Sequence, residues 1–341
     1  MLTYCARRAN EEAASPGDMK HTSCHGNGRS REPGHAEAIT SGSCRRSVKI
    51  ALAAAALIAH AAPASAGDME DCVSFDAATA IAGCTAVIAR DVLSGQDEAG
   101  VYYNRGNALM RADRFREAIE DFSRAIEIFP TSPLFHYNRA GAWRYLNELE
   151  PALADYNKTI ELDPEYVKAY YNIGNIHRQT GDTVAALAAF TTALEISPRY
   201  LQAYKNRART YADRGEFEPA LSDLDAAIGL GPRIADLYVE RAEILTMAGR
   251  AADAVADYDR ALELDPDDAE ALLGRAAAHH HTGEVGKALE DYERSVAVGG
   301  DAASASIRKR LEDAGMTLGP GTSFEEVLRP ALANYLSKPR F

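Results

Sequence analysis

Three consecutive histidines, His279, His280 and His281, are the residues of this 341-residue sequence whose types could most directly bind a metal ion. Adjacent helical residues point in different directions, whereas a chelating pair on a helix is spaced i, i+4. We therefore expect one packed and two solvated histidines and no metal site. The sequence also contains no glycine-rich phosphate loop, no nucleophile and base motif and no zinc spacing. These features indicate a non-catalytic protein without a cofactor.

A targeting segment is predicted at residues 45–66. A basic flank at residues 45–49 precedes an apolar run at residues 50–62 and a small-x-small sequence, Ala-Ser-Ala, at residues 64–66. The apolar run has 13 residues, fewer than the roughly 20 that span a bilayer. A secretory signal peptide cleaved after Ala66 is therefore favoured over a membrane anchor or a buried alanine-rich helix. We expect the mature protein to be secreted, most simply to the periplasm.

Residues 1–44 have a different character. They are rich in Gly, Ser, His, Arg and Glu and show no periodicity, a composition typical of disorder. They also lie upstream of the position where a signal peptide normally begins. We expect a mis-assigned start, with the true initiator near Val48.

Removal of the leader would reduce the cysteines from five to two, Cys72 and Cys84. Along one straight helix these residues would be roughly 18 Å apart, which is beyond the reach of a disulfide. A hairpin at residues 73–76, with Asp76 capping a helix over residues 77–93, would bring them together. An oxidising compartment favours the disulfide, and two buried free thiols are the alternative.

The rest of the sequence contains a 34-residue repeat, which occurs six times in succession. Small residues recur at positions 8, 20 and 27 of each unit and a bulky residue recurs at position 24, a pattern that lets two helices approach closely. A proline closes each of the first five units at position 32. The units begin at Ala99, Pro133, Val167, Leu201, Ala235 and Ala269, and the closing prolines are Pro130, Pro164, Pro198, Pro232 and Pro266.

Each unit is predicted to fold as two amphipathic helices joined by a tight turn. Apolar residues at positions 4, 8 and 11 and then at 17, 20, 21, 24, 27 and 28 follow a helical spacing. Position 15 is Asp, Asn or Gly in every unit, and these residue types best tolerate a left-handed backbone. The proline at position 32 cannot continue the second helix.

The pattern resembles the tetratricopeptide repeat family, whose 34-residue helix-turn-helix unit has a small residue, an aromatic residue and a closing proline at these offsets. The resemblance covers residues 99–302. It implies an all-α fold, a right-handed α-solenoid of stacked helical hairpins without a sheet. Residues 67–98 are then expected to form an N-terminal half-repeat cap with the disulfide, and residues 303–341 are expected to form C-terminal capping helices.

The resemblance also implies a partner-binding groove. In the family the first helix of each unit lines the concave surface, and positions 2, 5, 9, 12 and 13 commonly face the ligand. Tyr, Arg and Asn dominate these positions in units one to four, which suits an extended peptide. A solvated face is the alternative for any single residue. The groove residues carried over are Tyr103, Asn107, Arg111, Tyr137, Arg144, Tyr145, Lys168, Tyr171, Asn175, Arg178, Lys205 and Arg209.

The groove is expected to be electrostatically divided. Asp236, Glu240, Glu243 and Glu270 make units five and six acidic, whereas the middle units are basic. A peptide with one acidic and one basic end would fit such a surface.

A carboxylate clamp, which some family members build from two lysines, two asparagines and an arginine, is not expected. Asn107, Asn138 and Lys168 match three of the five, but Tyr103 replaces a lysine and Asn172 replaces the arginine. The asparagines at position 6 are more simply explained as helix-to-helix hydrogen bonds.

Arginine at position 7 and aspartate at position 23 vary together. Five units have both residues, and the third unit has Ile173 and Ala189 instead. Joint replacement within one unit predicts a bridge between the two helices of the same repeat. The pairs are Arg105 with Asp121, Arg139 with Asp155, Arg207 with Asp223, Arg241 with Asp257 and Arg275 with Asp291.

Net charge limits the possible partners. Beyond residue 66 the chain has 29 basic and 45 acidic side chains, a net charge of −16, which disfavours nucleic acid and direct membrane binding. We expect an exported, non-catalytic adaptor that binds a protein or peptide. The alternatives are an accessory subunit for an envelope-assembly or cell-wall enzyme and a metal or haem carrier. No motif specifies an oligomeric state.

Overall fold

The structure, a computed structural model, describes residues 66–318 and 323–337, and these residues form α-helices, one π-helical turn and no β-strand. The expectations for residues 1–44 and for the leader up to residue 65 lie outside the described residues. No helix in the described ranges has the length and apolar character needed to cross a bilayer. The α-helices are α1 Ala66–Cys72, α2 Ala77–Ile88, α3 Gly95–Arg111, α4 Phe115–Ile128, α5 Pro133–Tyr145, α6 Leu149–Leu162, α7 Val167–Gln179, α8 Thr183–Ile196, α9 Leu201–Asp213, α10 Phe217–Leu230, α11 Ala235–Met247, α12 Ala251–Leu264, α13 Ala269–His281, α14 Val285–Asp313 and α15 Arg329–Leu336.

Helices α3 to α14 pair within the six units and stack from one unit to the next. Each hairpin packs its first helix on the second helix of the unit before it. First helices of neighbouring units also touch each other, as α3 and α5, α7 and α9, and α11 and α13 do. One core cluster runs from Ala208 in unit four to Ala278 in unit six. The chain is thus a right-handed α-solenoid of helical hairpins whose core continues across the units.

The turn inside each hairpin depends on a left-handed residue at position 15. Asp113 and Asn147 have φ of 55° and 59° there, and the other four units use glycine. The amide of Arg114 then bonds back to the Leu109 carbonyl oxygen at 2.9 Å, which closes the end of the first helix. The predicted turn is confirmed. Asp and Asn fit because their short polar side chains tolerate this backbone region.

Small residues at position 8 make room for the bulky residue at position 24 of the same unit. A Cβ atom on Gly106 would lie 2.6 Å from the Phe122 ring, and one on Gly174 would lie 2.6 Å from the Phe190 ring. Both rings are fully buried. The close approach of the two helices therefore follows from the sequence pattern.

The paired arginine and aspartate join the two helices of one unit, as predicted. Arg207 donates through Nε and Nη2 to the two carboxylate oxygens of Asp223 at 2.8 and 2.7 Å. The other four pairs have the same bidentate geometry. The Nη1 of Arg207 reaches back to Thr191 Oγ1 in the preceding unit at 3.0 Å. In unit three, Ile173 and Ala189 lie in the apolar core, 7% and 9% exposed.

A disulfide joins the N-terminal helices α1 and α2. It links Cys72 to Cys84, and their Cα atoms are 4.4 Å apart. Gly83 permits this approach, since a Cβ atom there would lie 2.6 Å from the Cβ of Asp71. Closing a loop of this length stabilises a folded segment by about 3 kcal/mol. The link therefore secures a terminal element that has a neighbour on one side only.

Helix α2 is shorter than the sequence suggested. Asp76 caps it as expected, because its carboxylate accepts from the Thr79 amide at 2.8 Å. The expected helix over residues 77–93 is wrong at its end, since α2 stops at Ile88 and Asp91 turns the chain with φ of 50°.

Two helices follow unit six at the C-terminal end. The second helix of unit six and the first capping helix, numbered together as α14, are separate helices that meet at Gly300, whose φ of 55° and ψ of −132° are not helical. Glycine adopts this conformation without a steric penalty. The second capping helix begins as a π-helical turn, Phe324–Leu328, and continues as α15. The core of this end contains Ile307, Leu311, Leu328, Leu332 and Leu336.

The Arg207 and Asp223 bridge can be tested against the replacement that the protein itself contains. Asp223→Ala leaves a largely buried guanidinium without its carboxylate and should lower the free energy of unfolding by about 2–3 kcal/mol. The double variant Arg207→Ile with Asp223→Ala copies unit three and should lie within about 1 kcal/mol of the wild type. Urea unfolding followed by circular dichroism measures both. The account would be contradicted if the double variant lost as much free energy of unfolding as Asp223→Ala and Arg207→Ile lose together.

Candidate functional site

The candidate site is the surface formed by the six first helices, α3, α5, α7, α9, α11 and α13. Because these helices lie side by side, equivalent positions recur along one surface every 34 residues. We call this surface the groove. Its side chains are those at positions 2, 5, 6, 9, 12 and 13 of the units.

A ladder of hydrogen bonds crosses the groove from unit to unit. Asn138 donates to the Tyr103 hydroxyl at 2.8 Å and to Asn107 Oδ1 at 3.1 Å. Asn172 donates to the Tyr137 hydroxyl at 3.1 Å. Asn206 repeats the first arrangement one unit further on, with Tyr171 at 3.0 Å and Asn175 at 2.7 Å. The interpretation of the position 6 asparagines as helix-to-helix hydrogen bonds is confirmed.

The hydroxyl groups of the groove tyrosines are therefore part of the floor of the groove. Burial raises the pKa of the Tyr103 and Tyr137 hydroxyls, and Tyr171 is also buried. A buried hydroxyl needs a hydrogen-bond partner, and the asparagine of the next unit supplies it. The expectation that Tyr103, Tyr137 and Tyr171 contact a partner stays a prediction, and their hydroxyls already have partners within the groove. The same hydrogen bonds hold Asn107 and Asn175.

The ladder becomes ionic between units four and five. Glu240 stands at position 6, and its Oε1 accepts from Lys205 Nζ at 2.8 Å and from Arg209 Nη2 at 2.7 Å. Lys205 and Arg209 are thus held by the protein's own carboxylate. This carboxylate offsets one of the two positive charges in the part of the groove that the sequence suggested is basic.

Arg144 has a different environment. Its Nε is buried and has no hydrogen-bond acceptor among the described residues. The guanidinium interacts with the Tyr156 hydroxyl and has no carboxylate partner in the described ranges. The guanidinium carbon lies 5.4 Å from the centroid of the Tyr145 ring. Tyr145, which is 46% exposed, stacks on Phe115 with centroids 4.8 Å apart. The positive charge of Arg144 also acts on the floor hydroxyl of Tyr137.

The other expected groove cations lie at the edges. Arg111 is exposed, lies 5.9 Å from the Phe75 ring centroid and donates to the Ser74 carbonyl oxygen at 3.2 Å. Arg178 pairs with Asp213 at 3.3 Å. Lys168 is exposed at the start of α7.

A pocket that sequence reasoning missed lies at the C-terminal end of the groove. It has a volume of about 580 Å³ and is lined by units five and six and by α14. Gly274 occupies position 6, where units one to four have asparagine, and a Cβ atom there would lie 2.4 Å from Tyr258 Cζ. The replacement of asparagine by glycine at this position is the sequence feature that could have indicated the pocket. The lining includes Glu243, Met247, Tyr258, Glu270, Leu273 and Arg310.

Glu243, a partly exposed side chain, is the acidic group of this pocket whose pKa is shifted. Burial raises its pKa above the ordinary value of 4.5, and the nearby carboxylates of Glu270 and Glu240 raise it further, against a smaller opposing effect of Arg209. The charged form of Glu243 is therefore less favourable in the folded protein than in the unfolded chain. The neighbouring carboxylates of Glu243 and Glu270 therefore lower the stability of the folded protein.

The three histidines differ from expectation in one respect. His279 and His280 are both buried, 5% and 6% exposed, and only His281 is exposed. The sequence predicted two solvated rings, but the C-terminal helix covers His280, whose ring lies 4.8 Å from that of Tyr335 in an edge-on contact. Within the described ranges, no three His, Cys, Asp or Glu side chains form a metal-binding group.

Replacement of Glu243 should increase stability in a pH-dependent way. Because its folded pKa is raised, the cost is fully present above that pKa and disappears as the pH falls below the ordinary value. Glu243→Gln should therefore be more stable than the wild type at pH 7, by less than about 1 kcal/mol because the group is partly exposed. Urea unfolding at neutral and acidic pH measures the difference. Glu120→Gln, an exposed control in the middle of α4, should show none, and a pH-independent gain would contradict the assignment.

Sequence profiles of known repeats match most of the array. Tetratricopeptide repeat profiles match residues 99–132 and 167–200, and residues 205–269 and 248–306. A TPR repeat profile matches residues 142–181. A search of curated protein sequences gives no significant match.

Solved structures share the fold at low sequence identity. A tetratricopeptide repeat protein from Parabacteroides merdae is 23% identical, with a TM-score of 0.53 over 68% of this chain and 90% of that one. The C-terminal part of a repeat protein from Cytophaga hutchinsonii is 19% identical, with a TM-score of 0.55 over 62% and 85%. PilW, a type IV pilus biogenesis factor, is 20% identical, with a TM-score of 0.52 over 58% and 92%. With these shared folds and with repeat profiles over more than half of its residues, the chain belongs to the tetratricopeptide repeat family.

Proposed function

We propose that this chain is an exported, non-catalytic scaffold that holds an extended segment of another protein in its groove. Tetratricopeptide repeat arrays typically bind protein or peptide partners. The net charge of −16 beyond residue 66 disfavours a nucleic acid or an anionic membrane surface as the partner. An accessory role for an envelope-assembly or cell-wall enzyme is a narrower form of the same proposal, in which the held segment belongs to that enzyme.

The observation that carries the proposal is the guanidinium of Arg144, which interacts with the Tyr156 hydroxyl but has no carboxylate partner among the described residues. Arg178 and Arg209 have carboxylate partners, whereas no described carboxylate pairs with Arg144 and its buried Nε lacks an acceptor. An unsatisfied buried donor costs about 1–3 kcal/mol. A carboxylate from a partner would remove this cost through charge-assisted hydrogen bonds.

The surroundings of Arg144 leave room for such a partner. Position 9 of the same unit is Gly141, and a Cβ atom there would meet nothing within 4 Å. The asparagines that fill this position in units one and three have no equivalent in unit two. The stacked rings of Tyr145 and Phe115 add apolar surface beside the charge. An arginine next to aromatic rings is the combination that dominates many binding sites.

The charges along the groove also favour one orientation of the bound segment. Arg111 and Arg144 lie in the N-terminal units without ion-pair partners among the described residues, and Glu243 and Glu270 lie at the other end in the same state. The Glu240 cluster between them pairs one carboxylate with Lys205 and Arg209 and so keeps one net positive charge. An acidic stretch toward unit two and a basic stretch toward unit six match this arrangement.

Export is supported by the sequence pattern of residues 45–66 and by the disulfide. The basic, apolar and small-residue regions follow the order of a secretory signal. Disulfides persist in oxidising compartments and are rare in the cytosol, and the Cys72 to Cys84 link secures the first described helices.

The groove assignment is tested by the loss of Arg144. Random peptides displayed on phage and selected on the purified wild-type protein should be enriched in acidic residues, since Arg144 requires an acceptor. Arg144→Ala should weaken the selected peptides about tenfold or more in fluorescence anisotropy. Arg116→Ala, an exposed arginine on the second helix of unit one, should leave the affinity unchanged. Failure to select any peptide, or an equal loss in both variants, would refute the assignment.

Export is tested on the protein isolated from its native cells. Mass spectrometry should find an N-terminus at Gly67, and alkylation without a reductant should leave Cys72 and Cys84 unmodified because they are joined. A native peptide from residues 1–44, or free thiols at both positions, would refute export through this leader.

A further inference from the structure

We propose that the pocket between units five and six receives a lysine or arginine side chain of the segment bound in the groove. This inference rests on the proposed function and specifies the chemistry of its partner. The pocket lies where the inner faces of α11 and α13 meet the C-terminal half of α14. A segment that follows the groove from unit one therefore reaches it last.

The pocket has the two surfaces that a long basic side chain requires. Its walls include the apolar side chains of Leu273, Ala277 and Ala303, which suit an aliphatic stem. Glu243 and Glu270 supply carboxylates for the charged head. Lysine and arginine bury their stems along apolar surface while their charged ends remain at polar groups. With a volume of about 580 Å³, the pocket can accept such a side chain together with the adjoining backbone.

The two carboxylates are not neutralised from within the protein. No Lys, Arg or His of the part of the chain that the structure describes lies within ion-pairing distance of Glu243 or Glu270. Arg209 lies in the neighbouring unit, but Glu240 holds it. Arg310 and His281 also line the pocket, and the positive charge of Arg310 acts on the hydroxyl of Tyr258. A cation from the partner would therefore be the first ion-pair partner for this acidic pair.

The energetics of Glu243 agree with this assignment. Burial and the nearby Glu270 and Glu240 raise its pKa, so the ionised pocket is less stable than it would be with neutral groups. Sites that bind a ligand commonly retain such a destabilising arrangement, because the ligand relieves it. A bound ammonium or guanidinium group would reverse the pKa shift and stabilise both carboxylates.

The break in the repeat pattern also shapes the pocket. Units one to four place asparagine at position 6, and unit five places Glu240 there, but unit six has Gly274. The Tyr258 ring occupies the space where the side chain at position 274 would begin. The unit boundary that forms the pocket thus lacks the cross-unit hydrogen bond that closes the groove floor at earlier boundaries.

The test uses the peptides selected on the wild-type protein, measured by fluorescence anisotropy against the full chain. In the selected peptides, a lysine or arginine should follow the acidic stretch in the direction of unit six. The double variant Glu243→Gln with Glu270→Gln should weaken them about tenfold or more, as expected for loss of charge-assisted hydrogen bonds. Glu120→Gln should not change the affinity. Since Glu243→Gln should increase stability, thermal unfolding of each variant separates lost binding from lost folding.

A double-mutant cycle locates the contact. Replacing the basic residue of the peptide by methionine should weaken binding to the wild type but cause little further loss in the double variant.

Binders without an enriched basic residue, or an equal effect of the methionine peptide on both proteins, would overturn this inference while leaving the groove function intact. Calcium chloride added alone should not displace the peptide, and displacement at equal ionic strength would assign the pocket to a metal ion and overturn it as well. Loss of all peptide selection would instead refute the proposed function.

Discussion

The dependence of each helical hairpin on its neighbour is the constraint from which the rest of the structure follows. Two amphipathic helices of about 13 residues bury little apolar surface by themselves, so the units must stack to form a core. Stacking then places equivalent residues of successive units side by side. Every feature of the groove, from the tyrosine and asparagine ladder to the acidic pocket, is a contact across such a boundary.

The same repeated positions serve both stability and binding, and the departures from the repeat separate the two roles. Where the pattern is complete, as at Asn138 with Tyr103, polar groups satisfy one another and are withdrawn from a partner. Where it is interrupted, groups are left without an internal partner. Gly141 opens space beside Arg144, and Gly274 accompanies the pocket at Glu243. The interruptions are therefore the most informative positions for function in this array.

The two ends show how the protein closes a core that would otherwise remain open. At the N-terminus, a disulfide and the close contact at Gly83 hold α1 and α2 together. At the C-terminus, the bend at Gly300 turns α14 so that α15 can cover the last hairpin with leucine side chains. Tyr335 of α15 covers His280, and the C-terminal half of α14 forms one side of the pocket. The C-terminal cap is thus both a structural end and a part of the candidate site.

The amino-acid sequence by itself determined the features that depend on residues near one another in the chain. Helix periodicity, the left-handed turn residues and the Arg207 and Asp223 type of bridge lie within one unit, so one 34-residue pattern specifies them. The end of α2 depended on tertiary packing. The role of Tyr103 and the shape of the pocket at Gly274 were likewise decided only by tertiary structure. They arise between units, where burial and the distance between side chains depend on how neighbouring hairpins stack.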